Sequence, residues 1–238
     1  MWENATKKEP TKEKKTMKTK EEIIEFLKKP EVESFGEIAE ELLHHLVIKK
    51  QEQKLDEDIK EVTYNLAEIE FYYYGEEHED RHTYIRMANA GTWFFHGSGM
   101  DLAFQTIEDK DKETLTSFGG ILIRSIIRHE GNDKNDKTIS GPIRCMEELI
   151  NHNAGVLEWD MVEQSGNRDK EIATPIERTG LTPFAAEKAN KEKDYSKRQY
   201  KYYLKNKPWQ KSIVRYKYYP KQEHLAIVMK EDKIDYKI

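Results

Sequence analysis

The chain has 238 residues, of which 36% are charged and 37% hydrophobic, and its formal net charge is −5. This length suits one sizeable domain, and no apolar run reaches the roughly 18 residues that a membrane-spanning helix needs. The single cysteine, Cys145, excludes an internal disulfide and a cysteine-rich metal site. We therefore expect a soluble, intracellular protein, located in the cytoplasm or nucleoid, or in the nucleus if the source is eukaryotic.

The N-terminal region divides into a tail and two predicted helices. Residues 1–20 hold seven lysines and three glutamates with few apolar residues, which is typical of a disordered tail. A short helix is predicted from Glu21 and ends at Pro30. Ser34 and Glu37 have the spacing of a capping box and predict the start of a second helix. A short strand at residues 46–48 and a polar connection at 51–58 should follow, within a domain that runs over residues 21–238.

Residues 61–74, EVTYNLAEIEFYYY, alternate in the manner of one long β-strand. Alternation places Glu68 and Glu70 on the same face as Leu66 and Tyr72, and both faces are largely apolar. A strand with two apolar faces is usually buried, where ionisation of a carboxyl group is costly. Such a glutamate suits a general acid or base, although solvated glutamates on an edge strand or a structural ion pair would give the same pattern.

Two glycine-containing segments come next. The charged loop GEEHEDRH, residues 75–82, contains His78 and His82, which could hold a metal or simply belong to a hydrated surface loop. Residues 91–104, GTWFFHGSGMDLAF, predict a β-hairpin with its turn at Gly97 to Gly99. The polar residues 108–117 predict a loop.

The segment FGGILIRSI, residues 118–126, predicts a strand in which Arg124 lies on an apolar face. An arginine in this position usually meets a carboxylate or a phosphate. Beyond a predicted loop at residues 131–138, Pro142 begins a predicted helix whose N-terminus could hold an anion. The side chains expected to face inward from this helix are Ile143, Met146, Leu149 and Ile150.

Basic and aromatic residues are concentrated near the C-terminus. Residues 188–221 hold twelve Lys or Arg against two acidic residues, with eight tyrosines and tryptophans interleaved. Cations that meet phosphates and rings that stack on bases would suit a nucleic-acid surface. A solvated basic face over aromatic core positions would give the same composition.

Several short motifs occur in a fixed order along the chain. They are FLKKPEV (26–32), the helix and strand of 38–50, EFY (70–72), Gly91-Thr92, Gly99-Met100, residues 122–124, Gly141-Pro142, RTGL (178–181) and YKYYLKNKPWQKS (200–212). This order, over about 190 residues, resembles that of the alkyladenine (3-methyladenine) DNA glycosylases.

The resemblance implies a role for individual residues. Glu70 matches the catalytic glutamate, which activates water to attack the anomeric carbon of a flipped-out damaged nucleotide. The implied base pocket consists of Tyr72, Phe94, His96, Arg124 and, if the loop shifts by one residue, His82. A cationic alkylated purine is a good leaving group and is attracted by ring faces. The family needs no metal or other cofactor, and because no lysine matches a pocket position the enzyme would be monofunctional.

The sequence also departs from the family. The bulky wedge, usually tyrosine, that fills the gap left by the flipped nucleotide is replaced here by Ser98, so Met100 is the alternative candidate for intercalation. Lys201, Lys205 and Lys211 are expected to contact DNA phosphates.

The sequence thus predicts one α+β domain, in which helices surround a curved, mostly antiparallel sheet like that of the methylpurine DNA glycosylases. The expected function is that of a monomeric DNA-repair glycosylase which binds double-stranded DNA with a damaged purine, does not bind membranes, and leaves an abasic site. The alternatives are a non-catalytic nucleic-acid-binding protein on the same fold and a glycosylase acting on single-stranded or RNA substrates.

Overall fold

The computed structural model describes residues 17–75, 78–112, 114–129, 136–163, 173–176, 178 and 201–204. Three α-helices lie in this part of the chain: α1 (Lys20–Lys28), α2 (Phe35–His45) and α3 (Pro142–Ile150). The same residues form eleven strands: β1 (Leu46–Glu52), β2 (Lys60–Gly75), β3 (His78–Glu79), β4 (Trp93–His96), β5 (Gly99–Ala103), β6 (Ile107–Asp109), β7 (Thr114–His129), β8 (Lys137–Ser140), β9 (Glu158–Met161), β10 (Ala173–Ile176) and β11 (Lys201–Leu204). None of the described helices is long and apolar enough to cross a membrane.

The strands form a large antiparallel sheet, which confirms the predicted α+β class. Its main path runs β10-β11-β2-β7-β5-β4, with β1 beside β2 and β9 beside β1. The shorter strands β3, β6 and β8 pair with β2 or β7. The strand predicted at residues 61–74 is confirmed as β2, and it pairs with the equally long β7. These two strands therefore form the centre of the sheet.

β2 is mostly buried and paired on both sides, so it is not the edge strand that the sequence left as an alternative. On one face the ring of Phe35 in α2 stacks on Phe71, with the ring centroids 4.4 Å apart. On the other face α3 provides Glu148, which accepts a hydrogen bond from the Tyr64 hydroxyl at 2.9 Å. Alternation along β2 then directs Glu68 and Glu70 to the α3 face, inside the protein.

The β2–β7 pairing is irregular at this point. Leu66 lies opposite Ile126, Glu68 opposite Ser125, and Ile69 opposite Ile123, so the register shifts at Glu68 and then returns. Such irregularities re-aim individual side chains and are frequent beside functional sites. Here the shift lies next to the two glutamates.

The predicted hairpin is confirmed as β4 and β5, with Gly97 and Ser98 between them. Gly99 has a φ of +141°, and a Cβ added there would lie 2.7 Å from the Cβ of Pro142 at the start of α3. Only glycine accommodates both this backbone conformation and the close approach. The hairpin tip is therefore seated against α3.

The capping box predicted at the start of the second helix is wrong. Ser34 ends a 3₁₀ turn (Val32–Ser34) with φ −87° and ψ −5°, and its side chain makes no capping hydrogen bond, because a capping side chain needs extended backbone. The capping box is instead at the start of α1, where Thr19 and Glu22 bond each other's backbone N–H groups. Met17 packs against the core, although the sequence analysis assigned residues 1–20 to a tail.

Three further local predictions need correction. β1 extends to Glu52, into the predicted connection. Residues 108–109 and 114–117, predicted as loop, are strand because β6 pairs with the start of β7. In α3 the inward positions include Cys145 and Leu149, whereas Ile150 is 44% exposed.

Candidate active site

One row of residues crosses the sheet at the predicted catalytic position. Successive antiparallel partners place Phe94 opposite Asp101, Asp101 opposite Leu122, Leu122 opposite Glu70, and Glu70 opposite Lys201. Directly opposed residues in antiparallel strands project from the same face. The row therefore brings β4, β5, β7, β2 and β11 together around Glu70.

Glu70 is fully buried, and its two carboxylate oxygens have different surroundings. Oε2 accepts a hydrogen bond from Nη1 of Arg124 at 2.7 Å. Oε1 is buried and accepts no hydrogen bond from any residue that the structure describes. A buried carboxylate oxygen normally has a hydrogen-bond donor, so Oε1 can hold a small donor such as water. The prediction that Arg124 contacts a carboxylate is confirmed, and the carboxylate is that of Glu70.

Glu68 lies beside this pair and is also buried. Its carboxylate contacts Nζ of Lys201 at 2.5 Å, Oγ of Ser125 at 3.0 Å and Nε of Arg124 at 3.6 Å. Burial raises the pKa of Glu68, but the charges of Lys201 and Arg124 and the hydrogen bonds outweigh burial and hold the pKa below its ordinary value. Glu68 is therefore an anion held by two cations.

Three of the predicted pocket aromatics lie on the face that carries Glu70. Tyr72 is two residues beyond Glu70 on β2, and Phe94 and His96 are two residues apart on β4. The rings of Phe94 and His96 are stacked, with centroids 5.9 Å apart. Burial, and to a lesser extent the charge of Glu70, raises the pKa of Tyr72 well above its ordinary value, although part of the side chain is exposed. Tyr72 is thus a neutral, partly exposed ring close to the carboxylate.

His96 is fixed by two polar contacts. The backbone N–H of Ser98 donates to Nδ1 at 3.3 Å, so Nε2 carries the proton and donates to Asp101 at 3.1 Å. Asp101 is buried and also bonds the buried guanidinium of Arg86, which lies 4.5 Å above the ring of Phe94. Sequence reasoning missed this Arg86–Asp101 pair. The signal was present, since Asp101 is a lone carboxylate in an apolar strand just as Arg124 is a lone cation.

A second buried pair supports Tyr72. Arg178 lies 4.9 Å above the Tyr72 ring and bonds Asp80 at 2.5 Å, with both charged side chains fully buried. Arg178 belongs to a motif that the sequence analysis quoted but gave no role. His82 is joined to this pair by its backbone N–H, which donates to Asp80 at 3.1 Å.

The two wedge candidates have different environments. Ser98 lies at the hairpin tip as predicted, and its hydroxyl lies 2.8 Å from the hydroxyl of Tyr84. Met100 is fully buried, so the prediction that it contacts DNA is wrong. Met100 belongs to the hydrophobic core, which accounts for this burial.

The basic stretch is described only at β11. Lys201 is buried against Glu68, so it does not lie on the DNA-facing surface where the sequence analysis placed it. It is also a lysine next to Glu70, at a position that the resemblance did not assign to the pocket. Lys205 and Lys211 lie outside the described residues. Among the residues described, no group of three or more His, Cys, Asp or Glu could hold a metal ion.

No protein-family model matches this chain, and no curated protein sequence matches it. The site must therefore be interpreted from its own geometry.

Proposed function

We propose that this chain is an N-glycosylase that hydrolyses the bond between deoxyribose and a modified purine in DNA. The observation that carries the proposal is the buried carboxylate of Glu70, with Oε2 held by Arg124 and Oε1 without a described donor. A glycosylase fold for the α+β domain is part of the same proposal.

The proposed reaction uses Glu70 as a general base. Oε1 accepts a proton from a water molecule as the water oxygen attacks the anomeric carbon. The bond between this carbon and the purine nitrogen breaks, and its electron pair leaves with the base. If the base is alkylated and cationic it leaves as a neutral molecule, so protonation by the enzyme is unnecessary. Arg124 holds the carboxylate so that Oε1 stays aimed at the site.

The rings near Glu70 suit the recognition of such a base. Tyr72, Phe94 and His96 offer ring faces, which attract a planar cation. The ring of His96 is held beside Phe94 by its contacts with Asp101 and the backbone N–H of Ser98. A site of this kind accepts a base only after the nucleotide has left the stack.

The decisive experiment uses the purified protein with duplexes that carry 3-methyladenine, hypoxanthine or ethenoadenine, followed by alkali to cleave abasic sites. We expect base release from at least one damaged duplex and none from an undamaged duplex of the same sequence. Single-stranded DNA and RNA with the same lesion distinguish the alternative substrates.

A non-catalytic binding protein remains the second candidate because Ser98 is too small to replace a flipped base in the stack. Tight binding of damaged duplex without base release from any substrate would support this reading and contradict the glycosylase proposal.

A further inference from the structure

Lys201 is a lysine buried inside the sheet. Its side chain is 2% exposed, and its Nζ contacts Oε1 of Glu68 at 2.5 Å. A buried ammonium group is costly unless it is paired, and removal of its partner is strongly destabilising. A lysine in this position therefore needs Glu68, and Glu68 in turn depends on the cations around it.

The four charges at the site alternate in sign. Lys201 contacts Glu68, Glu68 lies 3.6 Å from Nε of Arg124, and Arg124 donates to Glu70 at 2.7 Å. Two cations thus balance two carboxylates. The distances show that Arg124 bonds Glu70 more closely than it bonds Glu68.

The other titratable groups around the cluster leave this balance unchanged. Burial raises the pKa of the Cys145 thiol, which faces the cluster from α3, and the pKa of Tyr72 on β2. Both groups are neutral at neutral pH. The remaining neighbours are already paired with each other as Arg86–Asp101 and Arg178–Asp80.

We propose that Lys201 is a positioning residue for Glu70, acting by neutralising Glu68 so that Arg124 stays bonded to Glu70. Without Lys201, Glu68 would be a buried carboxylate whose nearest remaining cation, among the described residues, is Arg124. Arg124 would then move from Glu70 toward Glu68. The carboxylate of Glu70 would no longer be held in place, and Oε1 would lose its orientation toward the site. The inference rests on the proposed function only in taking Glu70 as the base.

The test compares Lys201→Met with the double variant Lys201→Met/Glu68→Gln. In single-turnover base release we expect Lys201→Met to be about tenfold slower, with the acid limb of the pH–rate profile about one pH unit higher, because one neighbouring cation is lost. The double variant should recover the rate to within about threefold, since Glu68 no longer competes for Arg124. A folded double variant that stays about tenfold slower than the wild type would overturn the inference, and this comparison holds even if Lys201→Met alone does not fold.

The chain offers a matched control in Lys50. This lysine is 1% exposed and its Nζ contacts Glu52 at 3.2 Å, beside Arg128, so it belongs to a similar buried cluster away from Glu70. Lys50→Met should lose stability but keep the rate and the pH profile of the wild type. An equal loss of rate in Lys50→Met would mean that Lys201 acts only through folding.

A second readout does not depend on activity. The ¹⁵Nε resonance of Arg124 should move in Lys201→Met and return in the double variant. If the resonance moves in Lys201→Met and returns in the double variant, but the wild type releases no base, the proposed function fails. The inference that Lys201 positions Arg124 still stands in that case. An unchanged resonance in folded Lys201→Met overturns the inference whatever the activity.

Discussion

Replacement of Glu70 by glutamine removes the proposed base and keeps the shape of the side chain. The amide oxygen can still accept the hydrogen bond from the Arg124 guanidinium, but the negative charge of the carboxylate is lost, and the new NH₂ group is buried where no described residue accepts it. A buried unsatisfied group costs about 1 to 3 kcal/mol, and loss of the opposite charge beside Arg124 costs about 1 kcal/mol more. Domains of this size are stable by roughly 5 to 15 kcal/mol, so we expect the variant to fold.

The rate should fall much further than the stability. Loss of a general base slows the chemical step by about 10² to 10⁴, which corresponds to about 3 to 5 kcal/mol in the barrier. The assay is single-turnover base release from the best substrate, with folding checked by urea denaturation. Binding to damaged duplex should stay within about threefold of the wild type, because Glu70 acts after the base is bound.

Glu148→Gln is the matched control for this experiment. Glu148 accepts a hydrogen bond from Nη1 of Arg128 at 2.7 Å, the same contact that Glu70 makes with Arg124, and it lies away from the row of residues around Glu70. The Glu148→Gln variant should release base at the wild-type rate. A folded Glu70→Gln variant with the wild-type rate would refute Glu70 as the base, and loss of activity in Glu68→Gln alone would transfer the role to Glu68.

Two other predictions concern stability and the hairpin. Hydrogen bonds from Arg128 lower the pKa of Glu52 from 4.5 to about 2 despite its burial, so this pair stabilises the fold fully above about pH 4.5 and is lost as the pH falls toward 2. Urea denaturation should show that the stability advantage of the wild type over Glu52→Gln, about 2 kcal/mol at pH 7, disappears near pH 2; a constant difference would contradict this. Ser98→Tyr breaks the contact with Tyr84 and adds a ring at the tip, so it should tighten binding to a lesion in duplex by about 1 to 3 kcal/mol and leave binding to the same lesion in a single strand unchanged. Equal gains in equilibrium binding to both would show that the ring does not replace a flipped base.

The central strands could be predicted because their pattern is local. Alternation over residues 61–74 places Glu70 and Tyr72 on one face whatever the rest of the chain does. The lone cation in FGGILIRSI needed a buried anion, and Glu70 provides it. Predictions that relied on spacing alone were weaker. Ser34 and Glu37 have the spacing of a capping box, but the preceding 3₁₀ turn places Ser34 in helical backbone.

The contacts that sequence reasoning missed join distant segments. Arg178 reaches Asp80 across about a hundred residues, and Lys201 reaches Glu68 across more than that. The composition of residues 188–221 indicated a basic surface, but composition cannot say which lysine of such a stretch points into the protein. Lys201 does so because β11 pairs with β2 at Glu70.

Charge balance could nevertheless have indicated that such a lysine was required. Glu68 and Glu70 are two residues apart on a buried strand, so both carboxylates project into one side of the core, where two uncompensated anions would repel each other and lose their hydration. Arg124 supplies one cation, which leaves one negative charge to be neutralised. The alternation of β2 therefore implies a second buried cation on this face, although not which residue provides it. Only the pairing of β11 with β2 identifies that cation as Lys201.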